Sequence, residues 1–383
     1  METKSFVCPR CGNSDLRYVG YRNGEPYCRK CISFHGGKAK RLEHKPHQVE
    51  ANLHYSLTEE QALLSTRLVK NFINKIDSLV YAVCGSGKTE ISYGVIAYAL
   101  RHGLQVGFAL PRRDVVIELF WRIKEAFPTE RVVAVYGEHS YLLEGDIIIL
   151  TTHQLYRYVK YFDLLVMDEI DAFPFKDNDT LASLYKASLR GNSVLLSATP
   201  SKEVLDEYHK PGHEVLELRT RFHHHEIPVP KIVLKPELLH IPYLVKKIKG
   251  YKKKRLPCFI FTPSIAKSEE LFSVLSLFVE GGEFVNSKRN GREKIISDFK
   301  KGKFAFLCTT SVLERGVTVK DLQVIVTSAD EEKIYDQSSL IQISGRAGRK
   351  MEAPDGEVIF LARSESKSMK GAVEEIVYCN SFL

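Results

Sequence analysis

The segment Ala82-Val83-Cys84-Gly85-Ser86-Gly87-Lys88-Thr89 has the residue types that a chain of phosphates needs. It follows an apolar run and opens a helical pattern, so it reads as a loop between a strand and a helix. Gly85 and Gly87, with Ser86 between them, let the backbone curl until its N–H groups face phosphate oxygens. The helix N-terminus adds a favourable dipole end. Lys88 would reach the β- and γ-phosphates, and the Thr89 hydroxyl would ligate Mg2+. Ala82 stands where the strict motif has its first glycine, a departure that the loop can accommodate. Such a loop predicts an acidic partner at the end of another strand. The run Phe162-Asp163-Leu164-Leu165-Val166-Met167 leads into Asp168-Glu169-Ile170-Asp171. Asp168 would hold Mg2+ through water, and Glu169 would orient and deprotonate the attacking water. Adjacent carboxylates make sense beside a metal that offsets their repulsion.

A second chemistry lies near the N-terminus. Cys8-x2-Cys11 and Cys28-x2-Cys31 are separated by 16 residues. Each Cys-x2-Cys turn aims two thiolates at one point, and two such knuckles suit tetrahedral Zn2+. Pro9, Gly12, Asn23-Gly24 and Pro26 supply turns, and Leu16 to Tyr21 reads as one strand of the hairpin between the knuckles. A disulfide pair is the alternative, disfavoured in a cytoplasmic protein. The residues alone leave open whether the module binds nucleic acid, binds protein or only folds. Cys84, Cys258, Cys308 and Cys379 are far apart and read as ordinary buried cysteines.

These groups need a scaffold. The chain has 383 residues, 44% hydrophobic and 27% charged, enough for two or three globular domains. That composition excludes a collagen, a mucin-like stalk or a wholly disordered chain. The longest near-apolar stretch, Leu271 to Val279, is too short to span a bilayer. The first residues carry no signal-peptide core, so the expected location is the cytoplasm. Net charge is +8, and +5 of it lies in residues 1–50. Lys246, Lys247, Lys249, Lys252, Lys253, Lys254 and Arg255 form a second basic cluster. Both favour a polyanion, and the second can equally be a solvated helix face.

Residues 32–50 are basic and aperiodic and read as a linker or a DNA-facing arm. Thr58 with Gln61 marks a helix start, and the helix runs to about Asn74. Strands are predicted at Ser78–Val83, Gln105–Ala109, Arg131–Val135, Ile147–Leu150, Leu164–Met167 and Val194–Leu196, with helices at Lys88–Arg101 and Asp114–Ala126. Continuous apolar strands alternating with helices mean a parallel α/β sheet covered on both faces. The stretch from about 201 to 230, with its prolines and His223-His224-His225, breaks the rhythm and reads as the crossing between two domains. The histidines lack a partner cluster for a metal. The rhythm restarts with strands at Cys258–Phe261, Glu283–Val285, Phe304–Cys308 and Val324–Val326. The expected organisation is a zinc module with basic linker at 1–50, an α/β domain at 51–205, a linker at 206–230 and a second α/β domain at 231–383.

The motif series resembles the superfamily-2 helicases and translocases over residues 55–365. Beside the segments above, the chain carries Ser197-Ala198-Thr199, the run Thr309-Thr310-Ser311-Val312-Leu313-Glu314-Arg315-Gly316-Val317, and Gln342-Ile343-Ser344-Gly345-Arg346-Ala347-Gly348-Arg349, in the family's order. The resemblance implies two RecA-like domains with ATP between them. Arg346 and Arg349 would act as arginine fingers to the γ-phosphate, with Gln342 beside them. Ser197 and Thr199 would relay nucleotide state to nucleic-acid grip. Gln61 would read adenine, unless it is a plain helix residue. A backbone track would use Arg112 and Arg113, Thr151 and His153, Thr262 and Ser264, and Thr309 and Thr310, which grip without reading bases.

The four-cysteine module ahead of the core, the stretch Asp168 to Phe175 and the short chain after the last motif narrow the likeness to the late competence ComFA family. That likeness implies a cytoplasmic, single-stranded-DNA-dependent ATPase that drives DNA uptake in natural transformation. It also implies a ComFC-type partner and a peripheral place at a membrane uptake complex. The alternatives are a PriA-like replication-restart helicase, a DEAD-box RNA helicase, and a non-catalytic zinc-dependent DNA-binding adaptor. Zinc cysteines inside the second helicase domain would mark the first, and they are not there. The residues after Glu169 depart from the second, and the full set of chemical groups opposes the third.

Overall fold

The computed structural model describes residues 6–32, 34, 36–53, 55–83, 85–170, 178–222, 224–314 and 317–383. Cys84, Asp171, Ala172-Phe173-Pro174-Phe175, His223, Arg315 and Gly316, singled out above, lie outside the described residues. The chain divides into two compact units, one of residues 1–82 and 87–218, the other of residues 83–86 and 219–383.

The first unit opens with a hairpin, β1 (Val19–Arg22) paired antiparallel with β2 (Glu25–Cys28). The strand expected from Leu16 starts at Val19, because the Asp15 side chain caps a short 3-10 turn over Leu16–Tyr18. Seven parallel strands follow: β3 (Asp77–Ala82), β4 (Val106–Leu110), β5 (Val132–Val135), β6 (Ile147–Thr151), β7 (Phe162–Asp168), β8 (Leu189–Ser197) and β9 (His213–Leu218), in the order β5-β6-β4-β7-β8-β3-β9. The helices are α1 (Glu59–Ile73), α2 (Lys88–Ile91), α3 (Tyr93–Arg101), α4 (Arg113–Ala126), α5 (Asp179–Ser188) and α6 (Lys202–Tyr208).

Strand residues alternate between two cores. Val80, Phe108, Ile149 and Val166 face α1, α3 and α4. Leu79, Ala109, Ile148 and Leu165 face a layer built from α5, the turn at Thr152–Arg157 and the four cysteines of the N-terminal module. The single helix expected over Lys88–Arg101 is two, because the Ser92 hydroxyl donates to Thr89 O at 2.6 Å and competes with the helical ladder.

Residues 38–50 run as an extended strap along this unit. Arg41 pairs with Asp163 at 2.5 Å, and His44 lies 2.9 Å from Asp146 and 2.8 Å from Gln105. His47 meets Glu130 at 3.0 Å, and Val49 is buried. These side chains are turned to acids and amides of the unit itself, so the strap is docked on it, while Lys38, Lys40 and Lys45 are exposed. Within 206–230, expected as linker, His213–Leu218 forms edge strand β9 on β3. Its alternating pattern is hidden between a Pro-Gly turn and the histidines.

The second unit has six parallel strands: β10 (Lys231–Leu234), β11 (Cys258–Phe261), β12 (Gly282–Val285), β13 (Phe306–Thr309), β14 (Gln323–Thr327) and β15 (Val358–Ala362), in the order β10-β15-β14-β11-β13-β12. One face packs on α9 (Arg292–Lys300), α10 (Gln337–Ser344) and α11 (Lys367–Asn380). The other packs on α7 (His240–Lys253) and α8 (Ile265–Ser276), and Cys258 and Cys308 are buried there as ordinary core residues. Residues 219–230 belong to this unit: Ile227 exchanges two hydrogen bonds with the Asn380 side chain, at 2.8 and 2.9 Å. Both units are RecA-like α/β sheets.

Candidate nucleotide and nucleic-acid sites

In a parallel sheet, chemistry collects where the strands end. Asp168 ends β7, Ser197 ends β8, and β3 runs out at Ala82 into the phosphate loop. The strands β7, β8 and β3 are neighbours, with Asp168 opposite Leu196 and Tyr81 opposite Ser197. The sheet thus brings the loop, the acidic pair and the Ser197 segment to one edge.

Gly85 and Gly87 hold φ +84° and +78°, and Gly87 starts α2, whose first residues are Lys88 and Thr89. A side chain at Gly87 would meet Gln61 Nε2 at 2.5 Å. Gln61 is buried, and its Oε1 accepts from Thr58 N–H at 2.9 Å in a capping box. It is therefore no plain exposed helix residue; its carboxamide lies against the phosphate loop. Glu169 has φ +58°, costly for a non-glycine residue, and its N–H donates to Asp168 Oδ1 at 2.8 Å and Leu196 O at 3.1 Å. Such strain is common at functional segments, though Lys75 and Lys160 carry similar angles in ordinary turns. Thr199 N–H donates to Ser197 Oγ at 3.1 Å, fixing that turn.

Farther along the same edge, Arg112 caps α4 after β4, and Arg113 lies over the Tyr136 ring at 5.1 Å. Thr151 ends β6 and is buried. His153 follows, and burial pushes its imidazole pKa down. Its ring meets Phe34 at 6.0 Å, and Phe34 stacks on Tyr156 at 5.9 Å. Phe34 follows the fourth cysteine, and Arg10 donates to the Cys31 and Phe34 carbonyls. The N-terminal module thus abuts the loop after β6, a coupling with no sequence signal.

The Sγ atoms of Cys8, Cys11, Cys28 and Cys31 all lie within 4.8 Å of one another. The Cys8–Cys31 separation is 3.6 Å and the Cys11–Cys28 separation is 3.7 Å. Those are too long for disulfides and close to the ~3.8 Å edge of a zinc-thiolate tetrahedron. Burial pushes the Cys11 thiol up to about 11. The set fits Zn2+.

In the second unit, Thr262 and Thr309 are turned inward. Thr262 donates to Thr309 O at 3.0 Å, and Thr309 donates to Val285 O at 2.9 Å. Both side chains are buried, whereas Thr310 is half-buried and Ser264, the N-cap of α8, is exposed. Arg346 is also buried, with Nε donating to Glu314 O at 2.7 Å and Nη1 to Val317 O at 3.0 Å. It ties its own segment to the preceding motif. Arg349 is half-buried, and Gln342 is buried in α10. A side chain at Gly348 would strike Pro354 O at 2.0 Å, which requires glycine there.

Sequence reasoning missed Arg221. Only 1% exposed, its guanidinium donates to Gly348 O at 2.5 Å, Ala347 O at 3.3 Å and Gly345 O at 3.4 Å. The neighbouring Phe222 N–H donates to Gly85 O at 3.3 Å. Arg221 therefore shapes the arginine segment from a stretch that looked like linker.

Two helicase families match the chain, one described as DEAD/DEAH box helicase over residues 62–207 and one as helicase conserved C-terminal domain over residues 240–351. Competence protein ComFA of Bacillus subtilis (strain 168) is 33% identical over 98% of this chain and 86% of its own length. The chain belongs to the ComFA family. ComFA of Streptococcus pneumoniae (strain R6) is 32% identical over 99% of this chain and 91% of its own. Dbp5 of S. cerevisiae, solved bound to RNA and ADP BeF3, shares the fold with TM-score 0.64 and 16% identity, over 86% of this chain and 93% of that one. This ComFA-family chain is a superfamily-2 helicase-type ATPase. Among the described residues no helix is long and apolar enough to cross a membrane.

Proposed function

We propose that the chain is an ATP-driven motor on single-stranded DNA that serves DNA uptake in natural transformation. One observation carries the ATPase part of this reading: Lys88, Thr89, Asp168, Glu169 and Ser197 collect at the ends of three adjacent strands. Lys88 draws the terminal phosphates, and Thr89 and Asp168 hold Mg2+, which when bound neutralises phosphate charge. Glu169 takes the proton from water, its strained backbone fixing the carboxylate's origin. Arg349 answers the γ-phosphate charge, and Arg346 holds the segment that presents it. The DNA backbone is gripped through Arg112, Arg113, Thr310 and Ser264. Cys8, Cys11, Cys28 and Cys31 would hold Zn2+, which would fix the N-terminal module whose Phe34 packs beside His153. A ComFC-type partner and a membrane uptake complex are the expected surroundings.

Lys88→Ala and Glu169→Gln test the hydrolytic assignment. Both are expected to abolish hydrolysis, and Glu169→Gln is expected to retain nucleotide binding by fluorescence titration. Hydrolysis surviving in Glu169→Gln would contradict the assigned base.

A further inference from the structure

The basic cluster of α7 takes no part in the site described above, and the structure shows where it leads. Lys246, Lys249 and Lys253 are exposed at helical spacing on α7. The helix ends at a recess of about 570 Å³ in the second unit, lined by Lys252, Arg255, Lys300, Lys301, Lys303 and Lys320, with Asp321 as its one acid. These cations come from three separate segments, which precede β11, β13 and β14, and Gly281 before β12 completes the lining. In a parallel sheet that is the edge opposite to Thr262, Ser264 and Thr310. Lys252 donates to Glu280 O at 2.8 Å, and Lys303 pairs with Asp298 at 2.8 Å. Lys300, Lys301, Lys320 and Arg255 have no acidic partner within 4 Å among the described residues.

Lysines are ordinary at helix C-termini, where they offset the dipole. Convergence of three cationic segments on one recess is not explained by that, since like charges brought together cost energy until an anion joins them. A concave cationic recess suits phosphates entering it. A planar bilayer would meet a raised surface better than a recess.

We propose that this recess is a second binding site for single-stranded DNA, outside the motor's own track, that takes the phosphodiester backbone of the same strand. The inference rests on the reading of the chain as a DNA motor. Two sites on one strand raise effective concentration, so the second matters only for a strand long enough to reach both.

The test uses the full chain with Lys300, Lys301 and Lys320 all changed to Glu, and a second version with all three changed to Gln. The probes are labelled oligothymidylates, one of about 10 nucleotides, enough for one groove, and one several times longer. On the long strand, the Glu version is expected to bind at least about tenfold more weakly at low salt. Its salt slope is expected to be shallower by about 2, since each lost phosphate contact removes about 0.7. The Gln version is expected to lose less affinity, and neither version is expected to change binding of the short strand or the ATPase rate without DNA. Unchanged affinity and slope on the long strand would overturn the proposal. So would unchanged DNA binding with lost co-sedimentation on phosphatidylglycerol vesicles, which would assign the recess to lipid. Failure of the parent chain to bind either strand would instead overturn the motor reading itself.

Discussion

Replacing Arg221 with Ala removes a buried guanidinium that donates to three carbonyls of the arginine segment. The 2.5 Å bond to Gly348 O is a full charge-assisted bond, worth about 2–3 kcal/mol. The contacts at 3.3 to 3.4 Å are long, and about 0.5 kcal/mol each is reasonable. The loss is therefore about 4 kcal/mol, before any relaxation of the freed carbonyls. For a unit of about 170 residues, each kcal/mol moves the midpoint by about 2–4 °C, so a fall of about 8–16 °C is expected. Scanning calorimetry reads this as a shift confined to one transition if the two units melt separately. Lys at this position keeps the charge but lacks the planar fork, and about half the loss is expected. ATPase kinetics add a readout that stability does not: kcat is expected to fall below the melting point with KM for ATP little changed. A midpoint within about 2 °C of the parent, with unaltered kcat, would refute the role given to Arg221.

Cys28→Ser is expected to release about one zinc per chain, measured by atomic emission, and to raise hydrogen exchange around Tyr156, because Phe34 is held by the cysteine module. Full zinc retention would contradict the four-thiolate site. The His47 pKa is raised above 6.5 by its hydrogen bond to Glu130, with help from the Lys45 carbonyl. Its stabilising contribution is therefore complete below about pH 6.5 and lost as pH rises through the raised value. Protection of residues 45–50, corrected for intrinsic exchange, is expected to be higher at low pH, and Glu130→Gln is expected to flatten that dependence. Thr309→Val is expected to cost about 1 kcal/mol of stability through the lost bond to Val285 O without a change in salt slope. Thr310→Ala is expected to weaken DNA binding; the reverse pattern in binding would contradict the inward placement of Thr309.

Much of the scaffold was legible because its signals are local. The apolar runs at Ile147–Leu150 and Cys258–Phe261 lie in fully buried strands, and Thr58 with Gln61 forms the capping box that the spacing implies. Strands β9, β10 and β15 were missed. β9 and β10 lie among Pro, Gly and His residues that read as turns, and β15, Val358–Ala362, follows an irregular stretch after the last motif. The site was legible as residue types but not as donor commitments. Periodicity shows which face of a strand is buried, but not that the Arg346 guanidinium turns back to Glu314 O or that Thr262 and Thr309 bond each other's neighbourhood. Arg221 carried no signal, since its partners are backbone carbonyls about 125 residues away, and the strap at 38–50 looked free because its acidic partners are equally distant in sequence.

ATP hydrolysis by this motor is expected to depend on single-stranded DNA. The most direct measurement is the steady-state ATPase rate without nucleic acid and with single-stranded DNA, duplex DNA or single-stranded RNA, each at two salt concentrations. The expected result is strong stimulation by single-stranded DNA, weakening as salt rises. Equal or greater stimulation by RNA or duplex, or a rate indifferent to every nucleic acid, would contradict it.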